Sequence, residues 1–221
     1  MAEISAAVVK ELREKTGAGM MDCKRALGET GGDIQKATDY LRTKGLADAS
    51  KKSSRVAAEG AVASYIHGGG KMGVLIEVNC ETDFVAKTEE FQELCRDLGM
   101  HICASNPLCV KEDEIDAAVV EKEREIYTAK AKEMGKPDNM ISKIVDGQVK
   151  KFIEGSVLLS QPFVKNPDLT VSQYLAEKVA KIGENIQVRR FTRFMLGEGI
   201  EKKAALSFAD EVKMQMENAN K

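Results

Sequence analysis

The sequence predicts an α+β fold: an N-terminal three-helix unit, then a three-stranded antiparallel sheet packed by helices, with a projecting helical hairpin. Three observations carry this reading. Apolar residues recur at helical spacing over the first 46 residues between glycine breaks. Residues 60–79 then switch to strand-like runs around a glycine turn. Helix-period segments follow, ahead of one late strand.

In the first helix Ile4, Val8 and Leu12 form one stripe, and Thr16-Gly17-Ala18-Gly19 stops it. Met20, Met21, Cys23, Ala26 and Leu27 supply a second apolar set, ended near Gly31-Gly32. Asp33 is placed to cap a third helix carrying Ile34, Ala37 and Leu41, with Gly45 expected as its stop. Residues 48–55 turn small, polar and basic, as a tether or a solvated helical extension would, and mark the domain boundary.

Residues 61–66 and 72–78 flank His67-Gly68-Gly69-Gly70-Lys71, the pattern of a hairpin. The match of Gly68, Gly70 and Gly73 to a dinucleotide fingerprint is accidental, because the fingerprint needs a helix N-terminus after its glycines and a strand follows instead. Phe91, Leu94, Cys95, Leu98 and Ile102 form the stripe of the next helix, ended by Asn106-Pro107. Residues 116–134 and 138–153, either side of Gly135-Lys136-Pro137, read as an antiparallel helical hairpin. Thr170-Val171-Ser172-Gln173 is a capping box opening another helix. Residues 186–196 form a strand able to pair with the hairpin, and residues 201–221 a peripheral tail helix. The expected divisions are 1–55 for the helical unit and linker, 56–200 for the α+β core with its hairpin at 116–154, and 201–221 for the tail.

Composition narrows the function. Thirty-three basic against 35 acidic residues leave a formal charge of −2, so no net basicity draws the chain to nucleic acid. No apolar run approaches the ~18 residues of a membrane span, and residues 2–9 lack the form of a secretory signal. Five cysteines without a C-x-x-C pair fit reduced thiols in the cytoplasm, and two histidines cannot assemble a usual zinc set, so no metal or other cofactor is expected. Neither a phosphate loop nor a nucleophile elbow is present, which argues against an enzyme. One thiol reading stays open, with Cys80 beside the acidic stretch Glu81-Thr82-Asp83. On the residues alone, Thr82 or Asp83 caps a helix and Phe84 folds inward as a core anchor.

Two long segments go further. Glu11-Leu12-Arg13-Glu14-Lys15-Thr16-Gly17-Ala18-Gly19-Met20-Met21-Asp22-Cys23-Lys24 and Val74-Leu75-Ile76-Glu77-Val78-Asn79-Cys80-Glu81-Thr82-Asp83-Phe84-Val85-Ala86 resemble the bacterial elongation factor Ts family. Gln161-Pro162-Phe163 and Lys181-Ile182-Gly183-Glu184-Asn185-Ile186 look like later signatures of it. The resemblance implies a guanine-nucleotide exchange factor for elongation factor Tu, one that binds no nucleotide, nucleic acid or membrane itself. A generic helical protein-binding module on a scaffold is the alternative.

The resemblance further implies that the first domain is a ubiquitin-associated-like module contacting the partner through Leu12, Arg13, Met20 and Met21, with Lys24 nearby. Leu12 and one methionine serve equally well as core. It also implies that Thr82, Asp83, Phe84 and Val85 form a loop that enters near the partner's nucleotide site and dislocates Mg²⁺, against the inward reading of Phe84. Longer family members carry two copies of the sheet unit, whereas a single glycine-turned hairpin is found here. A homodimer that supplies the second copy is therefore expected, its motive the free edge of strand 186–196.

Overall fold

The computed structural model describes residues 4–135 and 137–200, and over them the chain is α+β. The expected tail helix at 201–221 lies outside the described residues. Three helices come first: α1 (Ala6–Thr16), α2 (Met20–Glu29) and α3 (Ile34–Lys52). Ser5 caps α1 by accepting the Val8 N–H at 3.4 Å, and Asp33 caps α3 by accepting that of Lys36 at 3.0 Å. Their shared core is small, built from Val9, Leu12, Cys23, Ala26, Leu27 and Ala37.

One expectation is corrected here. Gly45 does not stop α3, which continues to Lys52. A glycine inside a helix costs about 1 kcal/mol relative to alanine, and here tertiary packing overrides it. Gly45 is buried, and a Cβ at this position would lie 3.3 Å from the Cβ of Ala180. The missing side chain lets α3 approach the later helix closely. Residues 48–52 are accordingly helix, and Ala49 packs against the main core.

The hairpin forms as read, with β1 (Glu59–His67) and β2 (Met72–Cys80) in antiparallel register from Glu59↔Cys80 to His67↔Met72. Next come the short helix α4 (Asp83–Ala86) and the long α5 (Glu89–Ser105), then α6 (Ala117–Glu133) and α7 (Asp138–Ser156), which pack together as the projecting hairpin. A two-stranded ribbon of β3 (Pro162–Phe163) and β4 (Asn166–Thr170) follows, then α8 (Val171–Ile182) and β5 (Gln187–Met195). Strand β5 joins the sheet beside β2, giving the order β1-β2-β5, all antiparallel. Alternation puts Val74, Ile76 and Val78 on the face that packs against Phe91, Leu94, Leu98 and Ile102 of α5.

The β3–β4 ribbon has no counterpart in the periodicity of the sequence. Polar contacts hold it instead. Asp97, buried on α5, accepts the Tyr174 hydroxyl at 2.8 Å and the Lys165 ammonium at 2.6 Å. His101 is fully buried; its Nδ1 accepts the Val164 N–H at 3.2 Å, so its proton sits on Nε2 and is donated to Gln161 Oε1 at 2.9 Å. Gln161 in turn donates to the Gly155 carbonyl at 2.7 Å, which fastens the base of the α6–α7 hairpin to the core.

Candidate functional site

The loop after β2 is organised by what its residues can cap and bury. Cys80 ends the strand inside the core and its thiol donates to the Thr82 carbonyl at 3.1 Å. Thr82 is extended (φ −131°, ψ 152°) and is the N-cap of α4, its hydroxyl oxygen accepting the Val85 N–H at 3.4 Å. A helix of four residues has no room for a buried stripe, and only its end turns inward. Ala86 is buried and Val85 packs partly against the core, while Phe84, between Asp83 and Val85, is 80% exposed. The inward reading of Phe84 is thereby corrected. The apolar anchor falls to Val85 and Ala86, and the aromatic ring projects into solvent.

Asp83 also faces solvent and accepts the Lys87 ammonium at 2.7 Å, one helical turn on. That hydrogen bond, then the charge of Lys87, holds the Asp83 carboxyl below the usual carboxylate range. The loop therefore presents a ring beside an ionised carboxylate. Behind it stands Glu184, whose carboxylate accepts the Thr82 hydroxyl at 2.7 Å and the Glu81 and Thr82 N–H groups at 3.0 Å each. Glu184 was not read as functional from sequence; the available signal was an acidic residue just after the glycine that ends α8.

The second candidate surface is the α1–α2 corner. Gly17 adopts a left-handed conformation (φ 67°) and its N–H returns to the Arg13 carbonyl at 2.7 Å, which turns the chain toward α2. Leu12 is 0% exposed. It sits among Val9, Cys23 and Leu27 and reaches no partner while this core is closed, so Leu12 is removed from the contact surface. Met21, at 69% exposure, and Met20 are free of the core, and Arg13 and Lys24 are exposed as well. Met20, Met21 and Lys24 share one face of α2 by their four- and three-residue spacing. Both methionines are surface residues, so neither fills the core.

The thiol reading finds no support in the geometry. Burial, then the charge of Glu184, pushes the Cys80 thiol up, and burial pushes Cys95 up to about 12. A thiol held protonated is a poor nucleophile. Among the described residues no group of three His, Cys, Asp or Glu side chains is placed to hold a metal ion. Among them, too, no helix is long and apolar enough to cross a membrane. A cleft of about 350 Å³ runs beside the α3–α8 contact and is bounded by the three-helix unit, α8 and β4, but its charges are largely used internally, Lys44 by Asp22 at 2.6 Å and Lys181 by Glu90.

The sheet carries a third surface. Opposite α5, the outward positions Val62, Ile66, Leu75 and Phe194 are exposed and apolar. At one end Glu77 binds Arg189 at 2.8 Å and Arg190 at 2.7 Å, and these guanidinium groups hold its carboxyl below the ordinary range.

Comparison with known proteins identifies the family. The sequence model of the family described as Elongation factor TS matches residues 48–198. The chain is 63% identical over 209 residues to a protein of Geotalea uraniireducens named Elongation factor Ts, covering 95% of this chain and 96% of that one. It is 58% identical over 213 residues to a protein of the same name from Alkaliphilus metalliredigens, covering 96% and 98%.

Proposed function

The chain belongs to the elongation factor Ts family and is thus a translation elongation factor, and we propose that it acts as the guanine-nucleotide exchange factor for elongation factor Tu. In this reading the α1–α2 corner docks on the partner through Arg13, Met20, Met21 and Lys24. The loop Thr82, Asp83, Phe84 and Val85 then enters beside the bound nucleotide. The observation that carries this is the large exposure of Phe84 on a loop held by Glu184 at its start and by buried Ala86 at its end. An unpaired aromatic ring in water is unfavourable by about 1.5–3 kcal/mol relative to burial, and a partner that covers it recovers that free energy.

A GDP-bound site holds its ligand with Mg²⁺ and backbone N–H groups in a dry environment, where electrostatic terms are large. Moving those elements by about an ångström removes some of that attraction, and each 1.4 kcal/mol lost is about tenfold in affinity. No chemistry is required of this chain, so it is not an enzyme in this reading. Reciprocity follows from linkage: if the factor weakens nucleotide binding, incoming GTP weakens factor binding equally and helps to release it. The test is to mix the protein with elongation factor Tu carrying fluorescent GDP and follow release. Clear acceleration at micromolar factor is expected, and none would sink the proposal.

A second reading concerns assembly. The apolar outward face of the sheet, with Val62, Ile66, Leu75 and Phe194, is suited to a second copy of this chain, as a single sheet unit in place of two would need. Sedimentation should give a dimer, and Leu75→Glu a monomer. A monomeric unsubstituted protein at the concentrations where exchange is fast would remove the idea.

A further inference from the structure

Loops that must push against another protein need a support that does not yield, and the loop following β2 has one. α8 ends at Ile182, and Gly183 in left-handed conformation (φ 91°) turns the chain so that Glu184 meets the end of β2. There Glu184 Oε2 takes two backbone N–H groups, those of Glu81 and Thr82, and Oε1 takes the Thr82 hydroxyl. The favour is returned in the opposite direction: the Glu81 carboxylate accepts the Asn185 N–H at 2.6 Å. Two adjacent segments therefore exchange carboxylate-to-backbone hydrogen bonds, each assisted by charge and each directional.

The network extends to the chain leaving α3. Asn185, 2% exposed, donates its amide to the Arg55 carbonyl at 2.7 Å, and Gln187 donates to the Ser53 carbonyl at 3.1 Å. Arg55 comes within 3.4 Å of Glu81 as a more exposed member. One junction thus holds the loop, the start of β5 and the linker from the three-helix unit.

We propose that Glu184 is a positioning residue: with Glu81 and Asn185 as its reciprocal half, it fixes the direction in which Phe84 projects, and so sets how fast GDP leaves the docked complex. This rests on reading the loop at 82–85 as the part that acts on the nucleotide site. Thr82 is the pivot. Its hydroxyl oxygen accepts the Val85 N–H while its proton goes to Glu184, so one side chain both starts α4 and ties it down. A four-residue helix has almost no stability of its own, because nucleation fixes several dihedrals for one or two hydrogen bonds. Without Glu184 the segment hinges at Glu81 and Thr82, and the ordering cost falls on the step in which the ring wedges home. Docking through the α1–α2 corner is made by another part of the molecule and is largely untouched.

Stopped-flow release of fluorescent GDP from elongation factor Tu, titrated with Glu184→Ala, Glu184→Gln, Phe84→Ala and the unsubstituted protein, tests this. Glu184→Ala should lower the maximal rate at saturating factor about tenfold, with the half-saturating concentration changed by less than about threefold. Glu184→Gln should restore the rate to within about threefold, since an amide oxygen still accepts both N–H groups and its NH₂ can donate to Thr82. Amide hydrogen exchange at Glu81 and Thr82 should quicken in Glu184→Ala alone, with the thermal midpoint recording whether the fold is kept. If Glu184→Ala keeps the full maximal rate while Phe84→Ala is slow, or if its loss only tracks unfolded protein, the positioning role is overturned and the exchange reading stands. Failure of the unsubstituted protein to accelerate release would overturn both.

Discussion

The α1–α2 corner and the loop after β2 each carry a large apolar side chain in a family-like motif, yet one buries it completely and the other leaves it in water. Leu12 lies in the middle of an eleven-residue helix, three and four positions after Val9 and Val8, where a stripe can form and close against α2. Phe84 lies in a four-residue helix whose only buried member is Ala86. Between these two side chains, the length of helix available for a stripe decides the outcome more than hydrophobicity does. A longer helix has room to close a stripe over a core, as α1 does, though α2 still leaves Met20 and Met21 outside, and a short one, pinned by Thr82 and Glu184, can hold its one large apolar residue outward.

Substitutions at the two positions should separate accordingly. Phe84→Ala gives the largest effect on function: release of GDP from elongation factor Tu should slow about thirtyfold or more, the loss of ~2 kcal/mol typical of an aromatic hot spot. Its unfolding free energy should change by less than about 0.5 kcal/mol, because little of the ring is buried. A fall in stability large enough to account for the lost rate would erase the contrast. Leu12→Ala should do the reverse. Urea unfolding of the whole chain should show a loss of about 2–5 kcal/mol, concentrated in the three-helix unit, since a fully buried leucine is replaced by a cavity. Unchanged stability with weaker partner binding would return Leu12 to the contact surface.

Met20 and Met21 refine the corner. Replacing both with alanine removes flexible side chains that α2 holds outside the core. Partner affinity, measured by calorimetry, should drop about tenfold, with stability within about 0.5 kcal/mol of the unsubstituted protein. Loss of stability without loss of affinity would make them packing residues after all.

How much of this was open to sequence depended on the range of the interactions. Caps and stops are local, so Asp33, Asn106 and the Thr170–Gln173 box are where the sequence placed them, and the hairpin read from runs at 61–66 and 72–78 pairs over 59–80. Gly45 misled because the contact that makes it useful, with Ala180, is far away in the chain. The β3–β4 ribbon was invisible for a related reason: it is held by Asp97 and His101 of α5, more than sixty residues earlier in the chain, together with Gln161, and none of these leaves a periodic trace. Phe84 could be placed from its own neighbours only as a core anchor, and the family resemblance pointed outward. Glu184 belongs with the hidden group, its partners lying about a hundred residues earlier.

The smallest effect concerns charge at the loop itself. Asp83 has its carboxyl held below the ordinary 3.8 by the hydrogen bond from Lys87 and then by that residue's charge. A depressed native value means that the stabilisation is present above the unfolded value near 3.8 and is lost as pH falls through the native one. Carbon-detected titration should therefore find Asp83 below 3.8 in the unsubstituted protein and closer to 3.8 in Lys87→Gln. Both proteins keep the carboxylate ionised at neutral pH, and an exposed ion pair within one helical turn adds little to stability. Exchange by Lys87→Gln at neutral pH should consequently match the unsubstituted protein within about twofold, whereas Glu184→Ala does not. A large loss in Lys87→Gln would mean that α4 is braced from its solvent side rather than from Glu184, and the contrast between a pinned loop and a packed corner would have to be redrawn around Lys87.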